Sequence, residues 1–313
     1  MRGRVYKSTG SWYRVKSEGV FYDCRIKGRF RVEGIRSTNP IAVGDYVRFN
    51  IEEKGDETVG VIYEIEEREN YIIRKSVNLS KQTHIIASNI DTAFLIVTLK
   101  NPVTFTSFID RFLVTTEAYH IPVVLLFNKI DLYDEEELIE LKYLISLYRN
   151  IGYDCVEISA SKQINIEKVK ALMLGKTTVF SGHSGTGKTT LVNVIEPGLD
   201  LKTSEISEQH LQGQHTTTFA EMFDLSFDAQ IIDTPGIRGF GVVEMEREEI
   251  GDYFPEFFKL KHECKFNNCL HLEEPQCAVK EALENEEIAW SRYNSYLQLL
   301  EGEENQYRRD IYE

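Results

Sequence analysis

One glycine-rich segment contains the residue types that bind phosphate. Residues 182–189, GHSGTGKT, match the pattern G-x-x-x-x-G-K-[ST], with a β-rich run before them and a helical run after them. In such a loop the backbone N–H groups surround the phosphates, the lysine reaches the β and γ oxygens, and the next hydroxyl binds Mg²⁺. The residues that this pattern places at the phosphates are Gly182, His183, Ser184, Gly185, Thr186, Gly187, Lys188, Thr189 and Thr190.

A second motif predicts which base is bound. An apolar run ends in Asn128-Lys129-Ile130-Asp131, which matches the guanine-reading pattern N-K-x-D. The carboxylate of Asp131 can accept hydrogen bonds from guanine N1–H and N2–H₂, and a site built for those donors rejects adenine by about 10⁴–10⁵. We expect Asn128 and Lys129 to brace the base and the loop. Taken alone, the four residues are also compatible with an ordinary polar strand end.

Three further segments predict the remaining nucleotide contacts. Ser159-Ala160, at the end of the strand-like run EISAS, is interpreted as the short loop whose backbone amide contacts guanine O6. DTPG, 233–236, follows an apolar strand, so Asp233 would reach Mg²⁺ through water and the Gly236 amide would face the γ-phosphate. GQHTTT, 213–218, lies between this segment and the phosphate loop, and a threonine-rich polar turn is the alternative for it. The predicted magnesium ligands are Thr189, Thr217 and Asp233.

The order of these motifs is unusual. Along the chain they run base reader, base loop, phosphate loop, first switch and second switch, whereas an ordinary GTPase begins with the last three. Permutation leaves every strand in its place if the ends of the cut lie close together on the surface. We therefore interpret residues 73–243 as a circularly permuted GTPase domain. Strand-like runs alternate there with helical stretches at 108–119, 135–150, 165–174 and 187–196, which predicts a parallel α/β sheet.

Three of the five cysteines lie close together near the end of the chain. Their pattern is Cys264-x₄-Cys269-x-His271-x₅-Cys277, and three thiolates with one imidazole match a closed, tetrahedral structural zinc site. We expect one Zn²⁺ per chain, within a C-terminal domain at 244–313. The alternative is a set of reduced cysteines without a metal. The other two cysteines, Cys24 and Cys155, match no motif.

The N-terminal residues, 1–72, predict a small β-barrel with a basic surface. Around FYDCRIKGRFRV, apolar and charged residues alternate with period two, and about five short strands favour an OB-fold. The chain has a net charge of −14, yet residues 1–50 carry eleven Lys and Arg against four Asp and Glu, a net +7. This contrast indicates a polyanion-facing domain, with a merely solvated basic face as the alternative. The predicted RNA-facing cations are Arg25, Lys27, Arg29 and Arg31.

The overall composition is that of an ordinary globular protein, with 42% hydrophobic and 27% charged residues. The apolar runs are far shorter than the roughly 18–20 residues of a membrane span, and the first residues lack the apolar core of a signal peptide. These features predict a soluble, cytoplasmic protein without a membrane partner, which we expect to act as a monomer.

Taken together, these motifs in this order resemble the RsgA family, also called YjeQ or YloQ, which are bacterial GTPases that depend on the small ribosomal subunit. The resemblance covers nearly the whole chain. It implies an N-terminal OB-fold, a central permuted GTPase domain and a C-terminal zinc domain. It also implies GTP and GDP as ligands, the 30S subunit with its 16S rRNA and ribosomal proteins as partner, a role in late 30S maturation, and GTP hydrolysis stimulated by that subunit.

The catalytic residues are predicted partly by that resemblance. Many small GTPases place a water-orienting glutamine just after D-x-x-G, but this chain has Ile237 there, which can neither donate nor accept a hydrogen bond. The resemblance favours His215 as the substitute, acting with Lys188. The alternatives are that His215 is a mobile loop residue, or that His183 takes the role. A rival function is a guanine-nucleotide-dependent binding module that acts on a protein partner and hydrolyses GTP only incidentally.

Overall fold

The first strands of the chain close into a barrel. The computed structural model describes residues 1–27, 40–54, 57–75, 83–199, 220–233 and 245–302. The barrel order is β1-β2-β3-β5-β4, and pairing of β1 with β4 closes it. Its strands are β1 (Arg2–Ser8), β2 (Tyr13–Ser17), β3 (Val20–Ile26), β4 (Tyr46–Lys54) and β5 (Glu57–Ile65).

The predicted alternation in the barrel is confirmed where the structure describes it. Cys24 is buried in the barrel core with Val15, Phe49 and Ile62, whereas Asp23, the residue before it on β3, is exposed. Arg29 and Arg31 lie outside the described residues. The predicted OB-like barrel is therefore confirmed, while the RNA-facing role of its cations remains a prediction.

A β-hairpin connects the barrel to the next domain. It consists of β6 (Tyr71–Lys75) and β7 (Thr83–Ser88), and the predicted domain boundary at 72/73 falls within β6. The buried carboxylate of Asp45 accepts from Arg68 Nη2 at 2.6 Å and from Ser88 Oγ at 2.6 Å. The hydrogen bond from Ser88, the last residue of β7, ties the end of the hairpin to the barrel.

The central domain contains the predicted parallel sheet, in the order β10-β9-β8-β11-β13-β12, with only β12 antiparallel. The predicted helical stretches correspond to α1–α4, whose ends lie within two residues of the predicted ones. The strands are β8 (Thr92–Val97), β9 (Val123–Phe127), β10 (Asp154–Glu157), β11 (Thr177–Ser181), β12 (Glu221–Asp224) and β13 (Gln230–Asp233). The helices are α1 (Thr106–Ala118), α2 (Glu135–Ile151), α3 (Ile166–Met173) and α4 (Lys188–Ile195).

Local sequence explains these elements. Every residue of β8 and β9 is buried, as expected for apolar runs in a sheet covered by helices on both faces. Helix α2 begins with a capping box, in which Asp134 accepts from the Glu137 amide and Glu137 accepts from the Asp134 amide. It buries Leu141, Ile145 and Tyr148, which recur at helical spacing.

The strand order brings the predicted motifs to one edge of the sheet. The chain moves outward in one direction from β8 through β9 to β10, and in the other direction from β11 to β13. The crevice between β8 and β11 is therefore a topological switch point, where open α/β sheets bind ligands at the carboxyl ends of their strands. The N-K-x-D segment follows β9, the Ser159 loop follows β10 and the phosphate loop follows β11.

The C-terminal region is helical and is anchored to α1. It contains α5 (Pro255–Leu260), α6 (Ala278–Glu284) and α7 (Trp290–Glu301). Arg292, on α7, is fully buried and lies 2.7 Å from Asp110 on α1 and 2.7 Å from Glu256 on α5. Asp110 also accepts from Tyr148 and Ser295, so three helices meet at one carboxylate. Within the described ranges, no helix combines the length and apolar character needed to cross a bilayer.

Candidate nucleotide and metal sites

The phosphate loop is a tight turn that leads directly into a helix. Gly182, Gly185 and Gly187 all have positive φ, and α4 begins at Lys188. Gly187 has φ +96°, and a Cβ there would lie 2.5 Å from Asn128 Nδ2, so a larger residue would be both strained and obstructed. The loop amides therefore lie at a helix N-terminus, where backbone N–H groups favour an anion.

Lys188 and the first loop residues are held by short contacts. Lys188 Nζ donates to the carbonyl oxygens of Gly182 and His183, the latter at 2.8 Å. Thr186 Oγ1 also donates to the His183 carbonyl, at 2.9 Å. Ser184, Gly185, Thr189 and Thr190 are exposed. An ammonium group thus lies within the loop that the sequence predicts to surround the phosphates.

Asn128 joins the two halves of the predicted site. It is buried at the end of β9, where its Nδ2 donates to the Thr186 carbonyl at 2.7 Å and its Oδ1 accepts from the Ala160 amide at 3.0 Å. Lys129, in the left-handed conformation with φ +66°, donates to the Gly185 carbonyl at 2.7 Å. The predicted base reader therefore contacts both the phosphate loop and the Ser159 loop.

The carboxylate of Asp131 is oriented by hydroxyl groups. Ser159 Oγ donates to Asp131 Oδ1 at 2.5 Å, and Ser161 Oγ lies 3.5 Å from Oδ2. Asp131 and Ile130 belong to a short 3₁₀ helix, Ile130–Leu132, and both are half-buried. An acceptor-only group held in this way beside the crevice can pair with the N1–H and N2–H₂ donors of guanine.

Asp233 lies at the same edge, at the carboxyl end of β13, where it is directly opposite Glu221 on β12. Thr189 lies in the first turn of α4, next to Lys188. The other predicted contacts, His215, Thr217 and Gly236, lie outside the described residues. The sheet thus brings the base reader, the base loop, the phosphate loop and Asp233 to one edge.

Sequence reasoning missed residues that support this site. The hydroxyl of Tyr133 donates to the Asn128 carbonyl at 2.6 Å and accepts from the Leu99 amide at 2.9 Å. Phe108, on α1, packs against the His183 ring with centroids 3.7 Å apart. Burial and the nearby Lys188 ammonium lower the pKa of His183, so its imidazole is neutral at pH 7. Only proximity to N-K-x-D could have indicated Tyr133, and no local signal indicated Phe108.

The four predicted metal ligands form one buried cluster. Cys264 Sγ lies 4.0 Å from Cys277 Sγ and 3.7 Å from His271 Nδ1, and His271 Nδ1 lies 3.3 Å from Cys277 Sγ. All the ligand atoms, including Cys269 Sγ, lie within 4.8 Å of one another. Zinc–sulfur bonds of about 2.3 Å in a tetrahedron place sulfurs about 3.8 Å apart. The four residues therefore form a group that can hold a metal ion.

Burial keeps the ligands of this cluster uncharged in the absence of a metal. Burial raises the pKa of Cys269 to about 12 and lowers the pKa of His271, which favours a thiol and a neutral imidazole without a metal. A bound divalent cation converts such thiols to thiolates. The loop is held by Glu274, which accepts from the Leu270 and Leu272 amides on either side of His271, at 2.8 Å each.

Comparisons with known proteins agree with this geometry. The family model described as RsgA N-terminal domain matches residues 2–62, and that described as RsgA GTPase matches 65–243. The small ribosomal subunit biogenesis GTPase RsgA of Christiangramia forsetii is 70% identical to this chain, with 100% of both chains covered. Its counterpart in Flavobacterium johnsoniae is 66% identical, with 100% of this chain and 96% of that protein covered.

Two solved structures share the fold over nearly the full length. YjeQ from Thermotoga maritima is 34% identical, with a TM-score of 0.78, and the match covers 96% of this chain and 97% of YjeQ. YloQ, described as a circularly permuted GTPase, is 31% identical, with a TM-score of 0.75 and coverage of 97% and 95%.

Proposed function

This chain belongs to the RsgA family of GTPases, and we propose that it hydrolyses GTP to GDP and phosphate in late maturation of the 30S ribosomal subunit. One feature supports this function above all. The base reader and the phosphate loop are 58 residues apart in reversed chain order, yet Asn128 donates to Thr186 across the crevice. A guanine reader joined in this way to a phosphate loop suits a guanine nucleotide.

The positions of the described residues support the following roles. Asp131 accepts from guanine N1–H and N2–H₂, while Asn128 and Lys129 hold the loops around the base. The Ala160 amide, which donates to Asn128 Oδ1 in this structure, would exchange that contact for guanine O6. The amides of 182–190 surround the phosphates. Lys188 exchanges its carbonyl contacts for phosphate oxygens and offsets the charge that develops on the γ-phosphate as water attacks.

A magnesium ion fits the donor set at the same edge. Thr189 and Thr217 would hold it directly and Asp233 through water, and these oxygen donors suit a hard cation. Such an ion would supply positive charge that offsets the charge of the phosphates. The Gly236 amide would face the γ-phosphate, and His215 would orient the attacking water. Thr217, Gly236 and His215 remain sequence-based assignments.

We assign the contact with ribosomal RNA to the barrel. An open cavity of about 470 Å³ on β1–β3 is lined in part by Trp12, Arg14 and Phe21, and the Arg14 guanidinium lies 4.5 Å from the Phe21 ring centroid. Aromatic faces beside cations suit unpaired bases and phosphates. Arg25 lies on β3, the strand that also carries Phe21, and Lys27 lies just beyond the end of that strand. The protein would bind the subunit as a monomer.

The function is tested with purified 30S subunits. Alone, the protein should hydrolyse GTP slowly, on the order of 10⁻⁴–10⁻³ s⁻¹, because Ile237 cannot orient water. Added subunits should accelerate single-turnover hydrolysis. Cosedimentation should be stronger with a non-hydrolysable GTP analogue than with GDP and should weaken with salt. Cosedimentation that is independent of nucleotide, without acceleration, would favour the binding module that acts on a protein partner.

We propose zinc as the ion at Cys264, Cys269, His271 and Cys277. Metal analysis of the purified protein should find one zinc per chain. Cys269→Ser should lose it and loosen the C-terminal domain, because a closed structural site contributes directly to folding. The nucleotide site should remain intact, so GTP affinity should change little. Cys155→Ala is the matched control, since Cys155 is also buried but lies outside the cluster. Parent protein that contains no zinc and withstands a chelator would contradict the assignment.

A further inference from the structure

The strand that follows the first switch pairs with a strand of the barrel. β12 begins at Glu221, three residues after the segment GQHTTT at 213–218, and its outer edge faces β1. Lys7, on β1, is directly opposite Glu221, and its Nζ lies 2.7 Å from Glu221 Oε2. A strand of the GTPase sheet and a strand of the barrel therefore meet through an ion pair.

A second contact holds the other face of β12. Asp224 accepts from Tyr6 OH at 2.6 Å and from Lys16 Nζ at 2.5 Å. Because β12 pairs regularly with β13, Glu221 and Asp224 point to opposite faces of the strand. The β1–β2 register shifts between Val5 and Lys7, and such a bulge re-aims a side chain. Tyr6 accordingly packs into the core of the GTPase domain rather than into the barrel.

One acidic residue of this contact also lies next to a residue of the predicted nucleotide site. On its inner edge, Glu221 is directly opposite Asp233, the residue assigned to magnesium. Two carboxylates in that position repel each other, and the ammonium of Lys7 offsets the repulsion. Burial acts to raise the pKa of Asp224, but hydrogen bonds from Lys16 and Tyr6 outweigh it and lower that pKa. Asp224 is therefore suited to hold the Lys16 ammonium, while Glu221 holds that of Lys7.

We propose that Glu221 and Asp224 are positioning residues, through which the barrel controls the end of the first switch. We call the contacts of Lys7, Tyr6 and Lys16 with these two residues the clasp. The inference rests on the proposed function. When the barrel docks on the 30S subunit, a shift of β1 is transmitted through these contacts to β12, the strand that follows the first switch. The charged side chains of the clasp are 28% to 39% exposed, and such pairs are weak enough to rearrange.

A charge swap tests the clasp. Glu221→Lys and Lys7→Glu should each lower single-turnover GTP hydrolysis at saturating 30S by about tenfold, a typical allosteric coupling. The double variant should recover to within about threefold of the parent, because it restores the pair with reversed polarity. The readout is the stimulation by the subunit, taken as the ratio of the rates with and without it, because each single variant also alters the charge opposite Asp233. Glu167→Lys is the control, since it breaks the exposed Glu167–Lys170 pair on α3, away from the barrel.

Hydrogen exchange provides a readout that does not need the ribosome. The amides of β12 should exchange faster in each single variant and at the parent rate in the double variant. Faster exchange with undiminished stimulation by the subunit would show that the clasp exists but does not control the switch, which overturns the inference. A double variant no better than the worse single variant would do the same. An unstimulated parent protein would contradict the proposed function itself, and the coupling with it.

Discussion

Asp131→Asn is expected to exchange the base preference of the site from guanine to xanthine. In the parent protein both carboxylate oxygens can accept, and Ser159 holds Oδ1 in place at 2.5 Å. Asparagine turns one acceptor into a donor that faces the guanine N2–H₂ group, so GTP affinity should fall by about 10²-fold. Xanthine carries a carbonyl oxygen at that position, so XTP should gain a comparable factor. Competition against a fluorescent guanine nucleotide measures both changes.

Two controls separate base reading from damage to the loop. The parent protein should prefer GTP to ATP by about 10⁴, as expected for a site built around the donors of guanine. Ser161→Ala removes a hydroxyl that lies 3.5 Å from Asp131, too far for a strong hydrogen bond, and should alter GTP affinity little. Equal affinities of the parent for GTP and ATP, or an Asp131→Asn variant that still prefers GTP to XTP, would remove Asp131 from the base-reading role.

Local patterns in the sequence were sufficient for the elements of the central domain. The burial of β9 follows from the run VVLLF, and α2 follows from the Asp134–Glu137 capping box and the spacing of Leu141, Ile145 and Tyr148. The convergence of the motifs could also be predicted, because parallel strands end at the same edge of a sheet. The cysteine cluster could be predicted from residue type and spacing alone.

Contacts between the domains could not be predicted, because no local periodicity encodes them. Lys7 and Lys16 contribute to the +7 charge of residues 1–50 and suggested a polyanion-facing surface, but they pair with Glu221 and Asp224 of the GTPase domain. The pairing of Arg292 could not be predicted either, because nothing near it in the sequence indicates its partner. An arginine is almost never fully buried unless it is paired, and its partner Asp110 lies 182 residues earlier in the chain.

These contacts alter how the basic barrel should be interpreted. The cations that neutralise the GTPase domain are not equivalent to those that remain for the proposed contact with RNA, such as Arg14 beside Phe21. Charge reversal at Arg25 and Lys27 should therefore act on subunit affinity, whereas charge reversal at Lys7 should act on stimulated hydrolysis at saturating subunit. The net charge of a segment indicates its partner only after the charges that pair with other parts of the chain are subtracted.

His215→Ala is expected to abolish most of the stimulation by the 30S subunit. Positioned acid–base groups contribute about 10²–10⁴-fold, so single-turnover hydrolysis at saturating subunit should fall by that factor while GTP and subunit binding persist. His183 is the matched control, because its ring packs against Phe108 with centroids 3.7 Å apart and the loop uses its backbone carbonyl. His183→Ala should therefore retain most of the stimulated rate. If instead His183→Ala is inactive and His215→Ala is stimulated like the parent, the catalytic histidine is the one in the phosphate loop. In that event the clasp on β12 would control the position of Thr217 alone.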